Sequence, residues 1–418
     1  MRICFLLCQG NMYSGGQGIY LYYITRELAR LGHEVEAIVG PPYPELAEGV
    51  CLHRVPSYSK YWLKETDREF FPDRPALEAF QPLNFYELAT SLFGMFSVMA
   101  AFSIRAYECF NDLSRKRPFH LVHDNQVLGY GTLLIKATGI PVVATVHHPL
   151  SVDRESRVRE APSLWGKARA VAFYPFFMQE VVARRIDKIV TVSAPASRSV
   201  QRALSLTDDQ VVVVENGIDP DTWRPLPAVQ RDPSLIVFVG NSEDENKGAR
   251  YLIEALAMLR ESGVEWELAV VDDRNRLRLL PRLALEHRVA SISYTGRLTT
   301  DELVRLYNRA ALVVSPSLYE GFGLPVAEAM ACEAPVVATT VGAHPQLVRE
   351  GETGFLVPPG DAHALAEAMR RVLSDPAAGE QMGKAGRRWV ASRFTWRRAA
   401  DELLAVYEEV GAGREVRT

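Results

Sequence analysis

Glu320 and Glu328, with seven residues between them, bracket Gly321, Gly323 and Pro325 in the stretch SPSLYEGFGLPVAEAMACEAPVVAT. The run Leu312–Ser315 reads as a strand, the two glycines free the backbone after it, and Pro325 suits the first position of a helix. Amides from Phe322 to Ala327, Pro325 excepted, then point unpaired out of a helix start, which is an arrangement that receives a diphosphate. Vicinal ribose hydroxyls suit a carboxylate that accepts two hydrogen bonds, and Glu328 is placed for that; Glu320 can hold sugar hydroxyls beyond the phosphates. A glutamate in a first turn also serves as plain dipole compensation. The second carboxylate and the strand–loop–helix context favour the ligand reading.

Three other places carry candidate chemistry. In VGNSEDENKGARYLIEAL, Lys247 stands where a helix begins and can neutralise a departing diphosphate; a solvated surface lysine is the bland alternative. SGGQG (Ser14–Gly18) supplies Gly15 and Gly16 for a tight turn after the first strand, although the third glycine of a dinucleotide fingerprint is missing. His147, with His148 as the nearby alternative, ends the run VVATVHHP, and ligands of parallel sheets bind at strand carboxyl ends. Asp219 and Asp221 form a D-x-D pair inside NGIDPD, which reads as a linker turn, so no metal is expected. Asp272 and Asp273 end another strand and read as a turn or the lip of a nucleotide site.

These positions need rigid elements to hold them. Short β-branched runs alternate with helical patterns throughout, the signature of parallel sheets covered by helices, so the fold class is α/β. Strands are expected at Arg2–Cys8, Glu34–Val39, His120–His123, Val142–His147, Lys188–Ser193 and Val211–Glu215. The pattern restarts at Leu235–Gly240, Glu267–Val271, Ile292–Thr295, Leu312–Ser315, Val336–Ala338 and Phe355–Val357. Between the two series lies Asn216–Pro233, with four prolines, expected to link two domains. Pro56–Pro82 and Ser151–Arg185 break the alternation and read as functional loops or extra helices.

At 418 residues, two domains are expected. A net charge of −4 excludes a protein built to coat nucleic acid. Five cysteines without CxxC spacing fit reduced thiols better than a disulfide framework or a zinc site, which places the chain in the cytoplasm. MRICFLLCQG is too short in its apolar part for a secretory signal and reads as a buried strand. The apolar run Leu88–Phe110, interrupted by Arg105 and Glu108 and preceded by Glu87, reads as a buried or interfacial helix. With the basic, aromatic region after Ser151 it offers a second reading, a peripheral contact with anionic membrane.

Glu320 and Glu328 resemble the paired-glutamate signature of the family-four retaining glycosyltransferases of the GT-B fold (glycosyltransferase group 1), and EGFGLPVAEAMACEAPVVATTVGAHPQLVREGETGFLVPPGD is similar to that family's pattern almost throughout. The resemblance covers the second half and the layout of the first. It implies two facing Rossmann-like domains, an acceptor-binding one over 1–217 and a nucleotide-sugar-binding one over 218–393, with 394–418 crossing back onto the first. It implies retaining transfer of a hexosyl or related group from a nucleotide diphosphate sugar to a small-molecule, glycan or lipid-linked acceptor, with no metal and no resident cofactor. Glu320 would contact the donor sugar, Glu328 the ribose, and the backbone of Phe322, Gly323 and Leu324 the sugar and distal phosphate. His147 would contact the transferring sugar, and Gly15 and Gly16 would line the cleft opposite the donor. The family has an arginine where this chain has Asn241, with Lys247 following, so Arg250 and Arg297 are candidates for the missing phosphate clamp. Glu333 and Ala343 stand where the family favours glycine, and Gln346 where it favours glutamate. An epimerase or phosphorylase of the same fold, or an inactive sugar-nucleotide binder, are the alternatives.

Overall fold

A computed structural model describes residues 1–10, 16–59, 76–93, 97–151, 176–274 and 277–415, with isolated positions between them. The chain forms two compact units, Met1–Val214 with Ala399–Thr418, and Glu215–Arg398. Each is built on its own parallel sheet.

The first unit contains β1 (Arg2–Leu7), β2 (Glu34–Val39), β3 (Val50–Arg54), β4 (Leu121–Asn125), β5 (Val142–Val146), β6 (Lys188–Thr191) and β7 (Val211–Val213), in the spatial order β3-β2-β1-β4-β5-β6-β7. β1 is buried along its whole length, as expected of a strand covered by helices on both faces. β3 is an addition to the expected strands. Among the described residues it pairs only with β2, and it is half exposed, so its sequence VCLHR lacks the apolar run by which a central strand is recognised.

The run Leu88–Phe110 is not one helix. It divides between Pro82–Leu92 and Val98–Lys116, and the second packs Val98, Met99, Phe102, Ala106 and Phe110 into the core. The charge inside the run meets the one that precedes it: Arg105 Nη1 lies 2.7 Å from Glu87 Oε2, with both side chains buried. Arg105 also donates to Asn84 Oδ1 at 2.7 Å, so each charge keeps polar partners out of water. Among the described residues, no helix is long and apolar enough to cross a membrane. Most of 60–75 and 152–175 lies outside the described residues, including much of the two expected excursions.

The second unit contains β8 (Leu235–Val239), β9 (Glu267–Val271), β10 (Ile292–Tyr294), β11 (Leu312–Ser315), β12 (Val336–Thr339) and β13 (Phe355–Val357), in the order β10-β9-β8-β11-β12-β13. Its core gathers Ile236, Phe238, Leu252, Leu268, Leu312 and Val337. The proline-rich segment expected as a linker is packed on this unit. Ile218 bridges to Thr395, Trp223 is buried, and Arg387 donates to the carbonyls of Trp223 and Pro220. Backbone groups that a free linker would leave to water therefore have protein partners.

Candidate active site

In both sheets the strand order reverses beside the first strand of the unit, between β1 and β4 and between β8 and β11. Loops at the carboxyl ends of such strands diverge and leave a crevice for ligand. The candidate residues occupy these two places.

In the second unit the loop after β8 ends in a short turn, Glu245–Lys247, closed by Gly248 at φ +68°. A methyl group on Gly248 would stand 1.9 Å from the Pro316 carbonyl oxygen, so glycine is what lets the β8 and β11 loops touch. Leu318 N donates to Asn246 O at 2.8 Å across the contact. The approach brings Lys247 Nζ to 2.8 Å from Glu320 Oε2. Burial works against both charges, but each overcomes it: Glu320, with Asp244, holds the ammonium above its ordinary range, and Lys247, with His344 and Ser317, holds the carboxyl below its own. The pair is ionised at neutral pH.

After Glu320 the chain turns through Gly321, Phe322 and Gly323 into the helix Leu324–Ala331. Phe322 is buried edge-on against Phe394 and anchors the turn. Gly323 has φ +94°, a conformation that glycine adopts without penalty. Among the described residues, the amides of Phe322, Gly323 and Leu324 donate to no protein acceptor. Three donors at a helix start, beside an ammonium, form an anion cradle.

Glu328 sits inside that helix and is buried, with Oε2 3.3 Å from the Tyr307 hydroxyl. Burial pushes its carboxyl up to about 7, against the pull of the Tyr307 hydrogen bond. Tyr307 reaches it from the helix Thr300–Arg309.

Not every expected residue joins this cluster. Asn241 is exposed and caps its own turn, accepting from Glu243 N at 3.1 Å. Arg297 follows β10, the edge strand, and donates to Asp273 Oδ2 at 3.1 Å. Arg250 is exposed on the next helix. Asp272 braces the β8 loop, accepting from both the amide and hydroxyl of Ser242 at 2.7 Å. Asp219 turns its oxygens onto Asp221 N and Thr222 Oγ1, both at 3.2 Å, and so belongs to its own turn.

In the first unit His147 follows β5 and is buried. Its Nε2 lies 2.8 Å from Asn125 Oδ1, and Asn125 donates its amide to Gln17 O. Oδ1 is therefore the acceptor, Nε2 carries the proton and Nδ1 keeps a lone pair. Burial, and then His148, push this imidazole down to about 3, so it is neutral. Gln126 accepts from the His147 amide at 2.7 Å and donates to the His148 carbonyl at 2.9 Å, which clamps the loop. Behind it runs a buried chain in which Tyr20 bonds Thr145 at 3.0 Å, Thr145 bonds His123 at 2.8 Å, and His123 bonds Tyr407. Gly16 has φ +69° at the start of the helix Gln17–Arg30, while Gly15 lies outside the described residues.

Two residues of the cluster, Tyr307 and His344, are not among the candidates singled out from the sequence. Tyr307 gives no signal beyond an apolar position on a helix. His344 gives one: it lies within VVATTVGAHP as His147 lies within VVATVHHP, a histidine shortly past the carboxyl end of a buried strand.

Comparisons with known proteins agree with this geometry. Residues 219–389 match the family model for glycosyl transferases group 1, and residues 14–222 match that for glycosyltransferase family 4. An MMP alpha-(1->4)-mannosyltransferase of Mycolicibacterium hassiacum is 37% identical over 98% of both chains. A glycogen synthase of Mycobacterium tuberculosis is 28% identical over 94% of this chain and 91% of its own. Among solved structures, a sucrose-phosphate synthase from Thermosynechococcus elongatus superposes with a TM-score of 0.74 at 22% identity, covering 99% of this chain and 100% of the other. The Anabaena Alr3699/HepE structure in complex with UDP and glucose superposes at 0.70 and 18% identity, covering 98% and 99%.

Proposed function

The chain belongs to the group 1, family 4 glycosyltransferases, and from that membership and its site geometry we propose that it transfers a hexosyl group from a nucleotide diphosphate sugar, with retention, to a glycan acceptor. The observation that carries the donor assignment is the trio of unpartnered amides at Phe322, Gly323 and Leu324 beside the Lys247–Glu320 pair. The diphosphate rests on these amides, Lys247 neutralises the charge that develops on it, Glu320 accepts from sugar hydroxyls and Glu328 from the ribose. His147, neutral with a bare Nδ1, accepts from a hydroxyl of the transferring sugar. The bond from the anomeric carbon to the leaving phosphate oxygen breaks, the acceptor oxygen bonds to that carbon on the same face, and the acceptor's proton passes to the leaving phosphate. No metal enters this scheme, because Lys247 and the amides supply the positive potential.

Relatives named mannosyltransferase and glycogen synthase support a hexose and a glycan, and a neighbour solved with UDP and glucose supports a nucleotide donor. Purified protein titrated with GDP-mannose, UDP-glucose and ADP-glucose should show a rise in melting temperature with one of them. That donor should be turned over with an oligosaccharide acceptor in the presence of EDTA. Proton NMR of the product should show the donor's anomeric configuration. An inverted product would refute retention, and failure of Glu328→Gln to weaken binding of any donor would refute the site.

A further inference from the structure

Lys247 carries one ammonium, and two anions call on it: the Glu320 carboxylate at 2.8 Å and, on the reading above, the leaving diphosphate. His344 lies beside the same carboxylate. Its ring is fully buried, and Nδ1 is 2.9 Å from the Thr339 carbonyl oxygen. A carbonyl only accepts, so in the neutral ring Nδ1 carries the proton and Nε2 the lone pair. Nε2 is buried and, among the described residues, has no hydrogen-bond partner. A methyl group on Gly323 would stand 2.7 Å from His344 Cδ2, 2.8 Å from Nε2 and 3.6 Å from Glu320 Cγ. The bare nitrogen and the Glu320 side chain thus flank one α-carbon, that of the amide turn. A buried acceptor without a donor is rare and calls for a role.

We propose that His344 is the proton-linked partner of Glu320: when a nucleoside diphosphate draws Lys247 onto its phosphates, Nε2 takes up a proton from solvent, and the imidazolium replaces the ammonium as the counter-charge of Glu320. This rests on the diphosphate occupying the amides of Phe322–Leu324. One N–H bond forms at Nε2 as the bond to that proton in hydronium or a buffer acid breaks; release of the diphosphate reverses both. The charged groups that face the ring are Glu320, from the loop after β11, and Lys247, from the loop after β8. Burial holds the imidazole below its usual range, Glu320 pushes it up, and Lys247 pushes it down. Drawing the ammonium away and bringing phosphate charge near both favour the imidazolium, while the Nδ1 bond to Thr339 serves either form. His344 is a positioning residue in this scheme, since it acts on the sugar through Glu320.

Isothermal titration of the full chain with UDP, GDP and ADP, in buffers of different ionisation enthalpy, reads the protons exchanged per nucleotide bound. Glu328 and the phosphates exchange protons of their own, so the quantity that decides is the difference between wild type and His344→Asn, with His344→Gln as a second variant. At the pH midway between the ring's free and bound midpoints the wild type should take up about half a proton more than either variant. Ring Cε1–H resonances of the wild type should include one whose titration midpoint rises by about one pH unit on binding. Equal proton exchange in wild type and variants that bind nucleotide overturns the proposal and leaves the donor site standing. If neither variant folds, the wild-type resonances decide, and a set with no rising midpoint overturns it. If none of the three nucleotides binds, the donor site falls and this proposal with it.

Discussion

Burial against the Tyr307 hydroxyl leaves the Glu328 carboxyl only partly ionised near neutral pH. On the proposed donor site ribose hydroxyls donate to the ionised form, so ligand binding should release a proton from this group and strengthen as pH rises. With a midpoint of about 7, the ionised fraction grows roughly tenfold from pH 6 to pH 8. The ratio of wild-type to Glu328→Gln affinity, measured by titration calorimetry, should rise accordingly; a flat ratio would show that the carboxylate does not touch the ligand. Stability responds in the opposite sense. A carboxyl raised by folding favours the native state at low pH, and that contribution is lost as pH climbs through about 7. Glu328→Gln should therefore gain more stability, relative to wild type, at pH 8 than at pH 5 in denaturant titrations. Lys247→Ala removes the ammonium proposed to neutralise the departing phosphate and should lower kcat by about 10²–10³-fold. It also leaves Glu320 without its cation, so this variant should bind donor more weakly as well.

Turns rather than regular segments decide how the site's elements meet. Glu333 has φ +62° just past the helix Leu324–Ala331, a left-handed position that glycine adopts without penalty. A side chain in that conformation costs roughly 1–2 kcal/mol, partly offset by the backbone entropy that glycine loses. Glu333→Gly should stabilise the protein by up to about 1 kcal/mol in chemical denaturation, because the carbonyl that receives Arg231 is kept. Gly248→Ala should do the reverse. Its methyl would meet the Pro316 carbonyl, so the β8 and β11 loops must part and Lys247 must leave Glu320. A large loss of turnover with a modest loss of stability is expected, and unchanged turnover would show that the loop contact is dispensable.

For the molecule as a whole, the chain ends inside the unit where it begins. Ala399–Thr418 belongs with the first unit, and Ala400, Leu403 and Tyr407 are buried there. Tyr407 supplies the hydroxyl bonded to His123, whose imidazole burial pushes down to about 3. Deleting residues 399–418 would remove these side chains and expose the apolar surface they cover, at a cost of about 2 kcal/mol each for Leu403 and Tyr407, and would orphan a buried histidine nitrogen. Such a sum is a large part of the stability of an ordinary domain. The truncated chain should show rapid amide exchange in β4 and β5 with β8 and β11 still protected. Equal protection in both sheets would mean that the segment contributes little.

Local pattern carried most of the architecture: twelve of the thirteen strands, the glycine turn ahead of Pro325 and the paired glutamates are readable because periodicity and turn chemistry act over a few residues. The exposed edge strand β3 escaped because it has no buried run to betray it. Contacts between distant residues were decided by tertiary structure alone. Glu87 meets Arg105 because one helix packs on another, Lys247 meets Glu320 because β8 and β11 are neighbours, and Tyr307 reaches Glu328 from a different helix. His344 stands with Glu320 because the β12 loop folds beneath Gly323. Each partner is ordinary in its own segment; only the order of the strands, set by packing of the whole core, gives it a neighbour and a charge state.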